Sequence, residues 1–255
     1  MEGTPPLAED EAAAASKAGE QTINETTIMA RNAIARGIFS SMGETSAHRQ
    51  QKRARKVHAQ APANNFSAAY FRKFYLNAVT RVVTAAQMRS RAALIASALK
   101  QCQIPVRRIL DAGCGIGLLR KPFKEFLPRA RYAGLEASEY LCSRFGWTFG
   151  SIVDFEPRNP YDLVVCYDVL QYLPDAEASR AIVNLSRVCR AALYVSALTT
   201  EDWRKNCDRS RTDRAVHLRS GAWYRRRLNK WFRYVGFGIW IRKNVTAILW
   251  EMERP

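Results

Sequence analysis

Ile109-Leu110-Asp111-Ala112-Gly113-Cys114-Gly115-Ile116-Gly117 decides the fold: an apolar run of strand length opens directly onto three glycines spaced by two. Glycine lets the chain turn sharply and lets its backbone approach a ligand. The helical pattern beginning near Leu118 would offer that turn unpaired amides and the positive end of a helix dipole. The segment therefore predicts a strand–turn–helix unit holding a nucleotide-like ligand. Glu136 ends the next apolar run, where such folds place an acid that accepts hydrogen bonds from ribose hydroxyls, so two signals fall in register.

Outward from this unit, short apolar runs alternate with helical patterns, which predicts a parallel sheet with crossover helices. The strand candidates are 108–112, 132–136, 151–154, 163–167 and 192–197, with two more at 238–242 and 246–251. Only Lys243, Asn244 and Val245 separate the last two, too few for a parallel crossover, so they are expected to form an antiparallel hairpin. Upstream, Tyr70, Phe71, Phe74 and Tyr75 put rings at helical spacing, and 86–99 places Met88, Leu94, Ile95 and Leu99 on a helix. Residues 64–104 read as cover helices for the sheet. Tyr70 and Tyr75 either join the core or reach over the ligand as a lid that also meets a substrate.

The dinucleotide fingerprint needs G-x-G-x-x-G, whereas this loop reads G-x-G-x-G with an acid two positions before its first glycine. That spacing disfavours a nicotinamide dehydrogenase, the runner-up on fold. Asp111 to Gly117 resembles motif I of the class I S-adenosylmethionine-dependent methyltransferases, and Glu136 is similar to that family's ribose-binding acid. The resemblance covers 108–172 by motif and the terminal hairpin by topology alone. It implies an α/β, Rossmann-like, seven-stranded and mostly parallel sheet of order 3-2-1-4-5-7-6, strand seven antiparallel, with helices on both faces.

For the cofactor, S-adenosylmethionine, the resemblance implies that Gly113, Gly115 and Gly117, with Cys114 between them, border the methionine part. Asp111 would help hold its ammonium, Glu136 with Ala137 the ribose, and Asp154 with the Phe155 amide the adenine. Tyr167 and Asp168, in Tyr167-Asp168-Val169-Leu170-Gln171-Tyr172-Leu173, would close the site beside the reactive methyl. Two motifs are missing. No N/D-P-P-Y/F follows the fourth strand, and there is no Pro-Cys nucleophile; many small-molecule members carry His where Gln171 stands, so no base is assigned there. Methyl transfer is a direct displacement in which alignment supplies much of the acceleration, and a base is needed only if a proton must leave.

Function in such sheets sits beyond the carboxyl ends of the strands, which points to 199–224 as an acceptor-side lid. It is too polar for core and rich in Trp, Arg and Asp. His217 is the candidate base, with Asp213 four residues earlier on the same face if that part is helical. Arg209, Arg211 and Arg219, with Trp223, are candidates to clamp a carboxylate or phosphate on the acceptor. The run 223–232 suits a helix with Trp223, Leu228, Trp231 and Phe232 inward, although basic residues among aromatics also describe a nucleic-acid surface.

The 255 residues carry a net charge of +17, and residues 1–25 hold six acids against Lys17, so the remainder is more basic still. Such a field attracts anionic partners without specifying a fold. Residues 1–63 show no sustained periodicity beyond a candidate short helix at 32–39, and read as a mostly disordered tail, acidic and then basic at 48–56, with 64–255 as the domain. Six cysteines without a C-x-x-C pair give no zinc or redox motif. No segment offers the ~20 apolar residues of a membrane span, and no secretory signal is recognisable, so a cytoplasmic protein is expected. The leading expectation is a methyltransferase acting on oxygen or nitrogen of a small anionic acceptor. The alternatives are an RNA methyltransferase using the basic surface and a non-catalytic adenosyl-binding module.

Overall fold

The computed structural model describes residues 66–253. The expectations for 1–63, including the basic run and the short helix, lie outside the described residues. Seven strands form one sheet in the order β3-β2-β1-β4-β5-β7-β6. They are β1 (Arg108–Ala112), β2 (Arg131–Glu136), β3 (Thr148–Phe149), β4 (Tyr161–Tyr167), β5 (Cys189–Ser196), β6 (Phe232–Gly236) and β7 (Ile239–Arg242). β1 pairs in parallel with both β2 and β4, β4 with β5 and β2 with β3, while β7 runs antiparallel to β5 and β6.

The strands sort side chains to two faces by their two-residue period, and each face is buried. Leu110, Val164, Cys166, Leu193 and Trp240 enter one apolar layer; it is closed by α5 (Asp175–Val188) and α7 (Gly221–Leu228). Ile109, Leu163, Val165, Ala192, Ile239 and Ile241 enter the other, under α2 (Ala85–Gln101) and α3 (Arg120–Phe126). α2 starts at a capping box between Thr84 and Gln87 and buries Met88, Ala92, Ile95, Ala96 and Leu99, a stripe three and four apart. Leu94, expected on that stripe, is 40% exposed.

Three expectations need correction. The third strand is the two-residue β3, three residues upstream of 151–154; residues 152–154 form a turn in which the Phe155 amide donates to the Ser151 carbonyl at 2.9 Å. The hairpin joins β6 to β7, and 246–251 is not its second arm. Val245, Ala247 and Leu249 alternate as a strand would, but they pack beside α2, where the Ile248 amide reaches the Cys102 carbonyl at 3.2 Å. Alternation alone does not distinguish a sheet strand from extended chain laid on an apolar layer. The helix expected over 223–232 ends at Leu228, and Phe232 opens β6.

Two further helices complete the frame. α4 (Glu139–Phe145) follows β2 and is capped by Ser138. α6 (Thr200–Lys205) follows β5 behind a capping box between Thr199 and Asp202. The aromatic stripe forms α1 (Ala68–Phe71) and a π-helical turn, Arg72–Leu76.

Candidate functional site

At the carboxyl end of β1 the chain turns through Gly113, Gly115 and Gly117, all left-handed, with φ of 78°, 55° and 78°. Two of these positions exclude a side chain by space as well. A Cβ on Gly113 would stand 2.3 Å from Val169 Cγ2, and one on Gly117 2.6 Å from the Trp147 ring. Trp147 also donates from Nε1 to the Gly115 carbonyl at 3.0 Å, so the loop rests on an indole. α3 begins two residues after the helix start expected at Leu118.

Glu136 at the end of β2 fixes this loop from the side. One carboxylate oxygen accepts from the Gly115 amide at 2.8 Å; the other accepts from Ala137 at 2.9 Å and Ser138 at 3.0 Å. Burial nevertheless raises its pKa against those three bonds. Asp111 is 3% exposed and receives the Tyr132 hydroxyl, and burial pushes its pKa up to about 7. Asp168, just past β4, is also raised by burial, and its backbone is left-handed at φ 54°, a strained state for a non-glycine residue. Three desolvated carboxylates therefore surround one cleft, and a cation placed among them would lower all three pKa values. That donor set fits the sulfonium and ammonium of S-adenosylmethionine.

The cleft holds two cavities. The first lies between the glycine loop, Glu136, Ala137, the Gly150–Ile152 segment and the aromatic cover made by Phe66, Tyr70, Phe71, Tyr75 and Tyr172. Tyr70 and Tyr172 join hydroxyl to hydroxyl at 2.9 Å, Phe66 packs edge-on against both rings, and Ser138 Oγ donates to the Phe66 carbonyl at 2.9 Å. This latch leaves about 110 Å³, below the ~300–1,000 Å³ of small-molecule sites. The aromatic cover thus forms one wall of the first cavity. The second cavity, about 560 Å³, lies between the cover, Arg81, Arg91, Gln171, the end of β5 and the segment 202–213, which runs from α6 into irregular chain. Tyr70, Tyr75, Tyr167, Asp168 and Tyr172 line both.

Most sequence-derived candidates converge here. Gly113, Gly115, Glu136, Ala137, Tyr167 and Asp168 line the first cavity, and Asp111 and Cys114 a small recess beside it, with Gly117 in the supporting turn. Tyr70 and Tyr75 stand at the junction. Arg211 and Asp213 line the second cavity.

Others lie elsewhere. Asp154 is exposed on its turn and the Phe155 ring packs into the core; the cavity wall at that end is Gly150, Ser151 and Ile152. His217 is exposed outside both cavities, and residues 207–219 are irregular, which removes the helical premise that paired it with Asp213. Arg219 is 5% exposed and spent on structure: it donates to the Leu170 and Leu173 carbonyls, the Tyr224 hydroxyl and, at 2.8 Å, Asp175. Trp223 lines neither cavity and has the guanidiniums of Arg227 and Arg219 over its ring, at 3.6 Å and 4.9 Å. Arg209 folds back on Trp203, donating to its carbonyl at 3.1 Å.

Sequence reasoning missed Phe66, Tyr172, Trp147, Arg81 and Arg91. Tyr172 lay inside the quoted segment after β4, and only its distance from the strand end obscured it. Arg91 stacks over Tyr167 at 4.1 Å and donates to the Tyr194 hydroxyl at 2.9 Å, contacts that no local pattern signals. No helix among the described residues is long and apolar enough to cross a membrane, and no cluster of metal-ligating side chains occurs among them.

Residues 110–192 match a family model described as a methyltransferase domain. An uncharacterized methyltransferase of Schizosaccharomyces pombe is 31% identical over 107 residues, 34% of this chain; the chain spans 38% of that relative's length. Among solved structures, the plantazolicin methyltransferase BpumL in complex with SAH superposes with a TM-score of 0.51 at 16% identity, covering 71% of this chain and 77% of the other. The same enzyme with a monoazolic desmethylPZN analog and SAH gives 0.51 at 15% identity and the same coverage. These two likenesses are of fold.

Proposed function

We propose that this chain, which carries a class I S-adenosylmethionine-dependent methyltransferase domain, moves the methyl group to oxygen or nitrogen of a small anionic acceptor. The observation that supports this reading is the junction of the two cavities at Asp168 and four tyrosines. One cavity is walled by carboxylates and the glycine loop; the other is lined by Arg81, Arg91 and Arg211 opposite Asp202, Asp208 and Asp213.

When bound, S-adenosylmethionine supplies a methyl carbon activated by a positive sulfur. An acceptor lone pair held in line with that carbon would displace the sulfur, which would leave as a neutral thioether with the carbon–sulfur electron pair, so the chain has to hold donor and acceptor end to end. The chain's contribution is placement and electrostatics. Asp111, Glu136 and Asp168 offset the positive charge of the donor. Tyr70, Tyr75, Tyr167 and Tyr172 wall the junction against water, and burial raises all four hydroxyl pKa values, so they stay protonated at neutral pH and act as donors. Where an O–H or N–H proton must leave, Asp213, a carboxylate lining the acceptor cavity, is the proposed recipient.

The test is incubation of purified protein and methyl-labelled S-adenosylmethionine with cell extract, followed by partition of the label. Label in small anionic molecules supports the proposal. Label in RNA, with binding that weakens by about one counterion's worth of slope per phosphate contact as salt rises, would transfer the reading to the exposed Arg225, Arg226 and Lys230. Saturable donor binding with no label transferred to any fraction would make this a binding module.

A further inference from the structure

Large apolar side chains are left in water along one loop at the mouth of the acceptor cavity. Leu76, Val79 and Val82 are 61%, 78% and 44% exposed, and Val82 with its neighbour Arg81 lines the cavity. Three residues of chain reach at most ~11 Å, so each of these side chains stands close to the next. Phe237 adds a fourth, 77% exposed, at the turn between β6 and β7. Its backbone is left-handed at φ 48°, a strained state for phenylalanine, and the ring gains little burial in return. The Gly238 carbonyl beside it accepts from the Val195 amide at 2.9 Å, and Ser196, the next residue of β5, lines the same cavity. Apolar groups thus flank the mouth from two separate elements.

The loop holds its shape through its own backbone. The Arg81 amide donates to the Asn77 carbonyl and the Val82 amide to the Phe74 carbonyl, both at 2.9 Å; the Val79 amide donates to Asn77 Oδ1 at 2.9 Å, and the Val79 carbonyl accepts from Arg211 at 2.6 Å. These groups need nothing from the apolar layer of a bilayer, which has no partner to offer them. The charge around the loop has one sign. From Phe66 to Leu110 the chain has eight lysines and arginines and no aspartate or glutamate, and Arg72 and Lys73, just before the loop, are exposed. The facing segment, 200–214, carries five basic residues against four acids. Aliphatic groups set in a basic surface match an anionic bilayer, where buried apolar area and the attraction of Lys and Arg to headgroups act together. RNA would use the charge, but aliphatic side chains give a base no face to stack on.

We infer that the 76–82 loop and the Phe237 turn form a lip that docks the mouth of the acceptor cavity onto an anionic lipid bilayer. Docked in this way, the mouth opens on the headgroup layer. The acceptor is then an anionic amphiphile taken up from that layer, a step that rests on the methyltransferase reading, whereas the docking itself does not.

The test is sedimentation of the full chain with vesicles of phosphatidylcholine alone or mixed with phosphatidylglycerol. The chain should bind the mixed vesicles more tightly. Leu76→Ser with Val79→Ser should weaken that binding roughly tenfold or more, and Phe237→Ser should weaken it less. Trp250→Ser with Met252→Ser removes apolar groups that are 67% and 95% exposed near the carboxyl terminus, likewise without a change of charge, and should leave binding unaltered. Residues 1–65 and their basic run are common to every variant, so the comparison isolates the lip. No binding to mixed vesicles, equal loss in the two double variants, or unchanged binding in the lip variant would overturn the inference. So would RNA binding or self-association that the lip variant alone loses while its vesicle binding persists, which would give the lip to nucleic acid or to a second copy of the chain. Titration with S-adenosylhomocysteine reads the other premise: if vesicles bind and it does not, the docking stands and the methyltransferase reading, with the acceptor drawn from it, falls.

Discussion

Glu136 and Arg211 each tie down one half of the cleft, by opposite means. Glu136 accepts from amides at 115, 137 and 138, all within a strand–turn–helix neighbourhood. Arg211 donates to the carbonyl of Val79, 132 residues away, across a loop that has no regular structure of its own. The donor half is thus built by the backbone of a local unit, and the acceptor half by side chains that only the folded chain brings together. Mutations should therefore damage the two halves differently.

The largest effect should come from a structural cation outside both halves. Arg219→Ala removes the guanidinium that satisfies the Leu170 and Leu173 carbonyls and the Tyr224 hydroxyl. Loss of one partner from a buried charged network costs ~3 kcal/mol, which at ~2–4 °C per kcal/mol lowers the melting midpoint by roughly 6–12 °C. His217→Ala, at an exposed position two residues away, should stay within about 0.5 kcal/mol. Thermal melts of the two variants check this contrast directly.

Next is Gly113→Ala, which meets both the left-handed backbone and the Val169 methyl. The expected loss is ~3 kcal/mol in donor binding, about 100-fold in affinity. Val169→Ala in the same chain should restore only part of it, because it removes the clash and leaves the strained φ. Calorimetric titration of the single and double variants measures both contributions.

Asp111 makes the two halves separable by pH. Its pKa of about 7 in the fold lies above its ordinary value of 3.8, so the free protein is stabilised by protonation there. That contribution is fully present below pH 3.8 and is lost as pH rises through about 7. Asp111→Asn should accordingly raise the melting midpoint of the free protein at pH 8 and flatten its dependence on pH between 6 and 8, while weakening donor binding. The smallest effect is at the latch. Tyr70→Phe deletes one hydrogen bond, worth ~1 kcal/mol, and should speed donor exchange by roughly fivefold in stopped-flow measurements while lowering the melting midpoint by only ~2–4 °C.

The contrast also explains what the sequence made legible. Strand periodicity, the glycine spacing and Glu136 are local, and the sheet order with its antiparallel seventh strand was implied by the family resemblance those residues carry. Asp154 and the 246–251 segment misled because an acid after an apolar run and an alternating stretch are ambiguous without the sheet. On the acceptor side, Arg209, Arg211 and Arg219 are indistinguishable in sequence. Their separate fates, folded on Trp203, bonded to Val79 at the cavity edge, and buried against Asp175 and Tyr224, depend on tertiary neighbours. Gln171 stood out only as a departure from the family pattern, and its unpaired oxygen became visible only in the packed turn.

The central claim is that a cleft of desolvated carboxylates binds a cationic methyl donor. Its most direct test is calorimetric titration of S-adenosylmethionine at pH 8 and pH 6 in buffers of differing ionisation enthalpy. Saturable binding at pH 8, proton release on binding near pH 7, and weaker binding at pH 6 that Asp111→Asn makes independent of pH are the predicted result. Absence of saturable binding, or affinity that does not change between the two pH values in the unmodified chain, would contradict it.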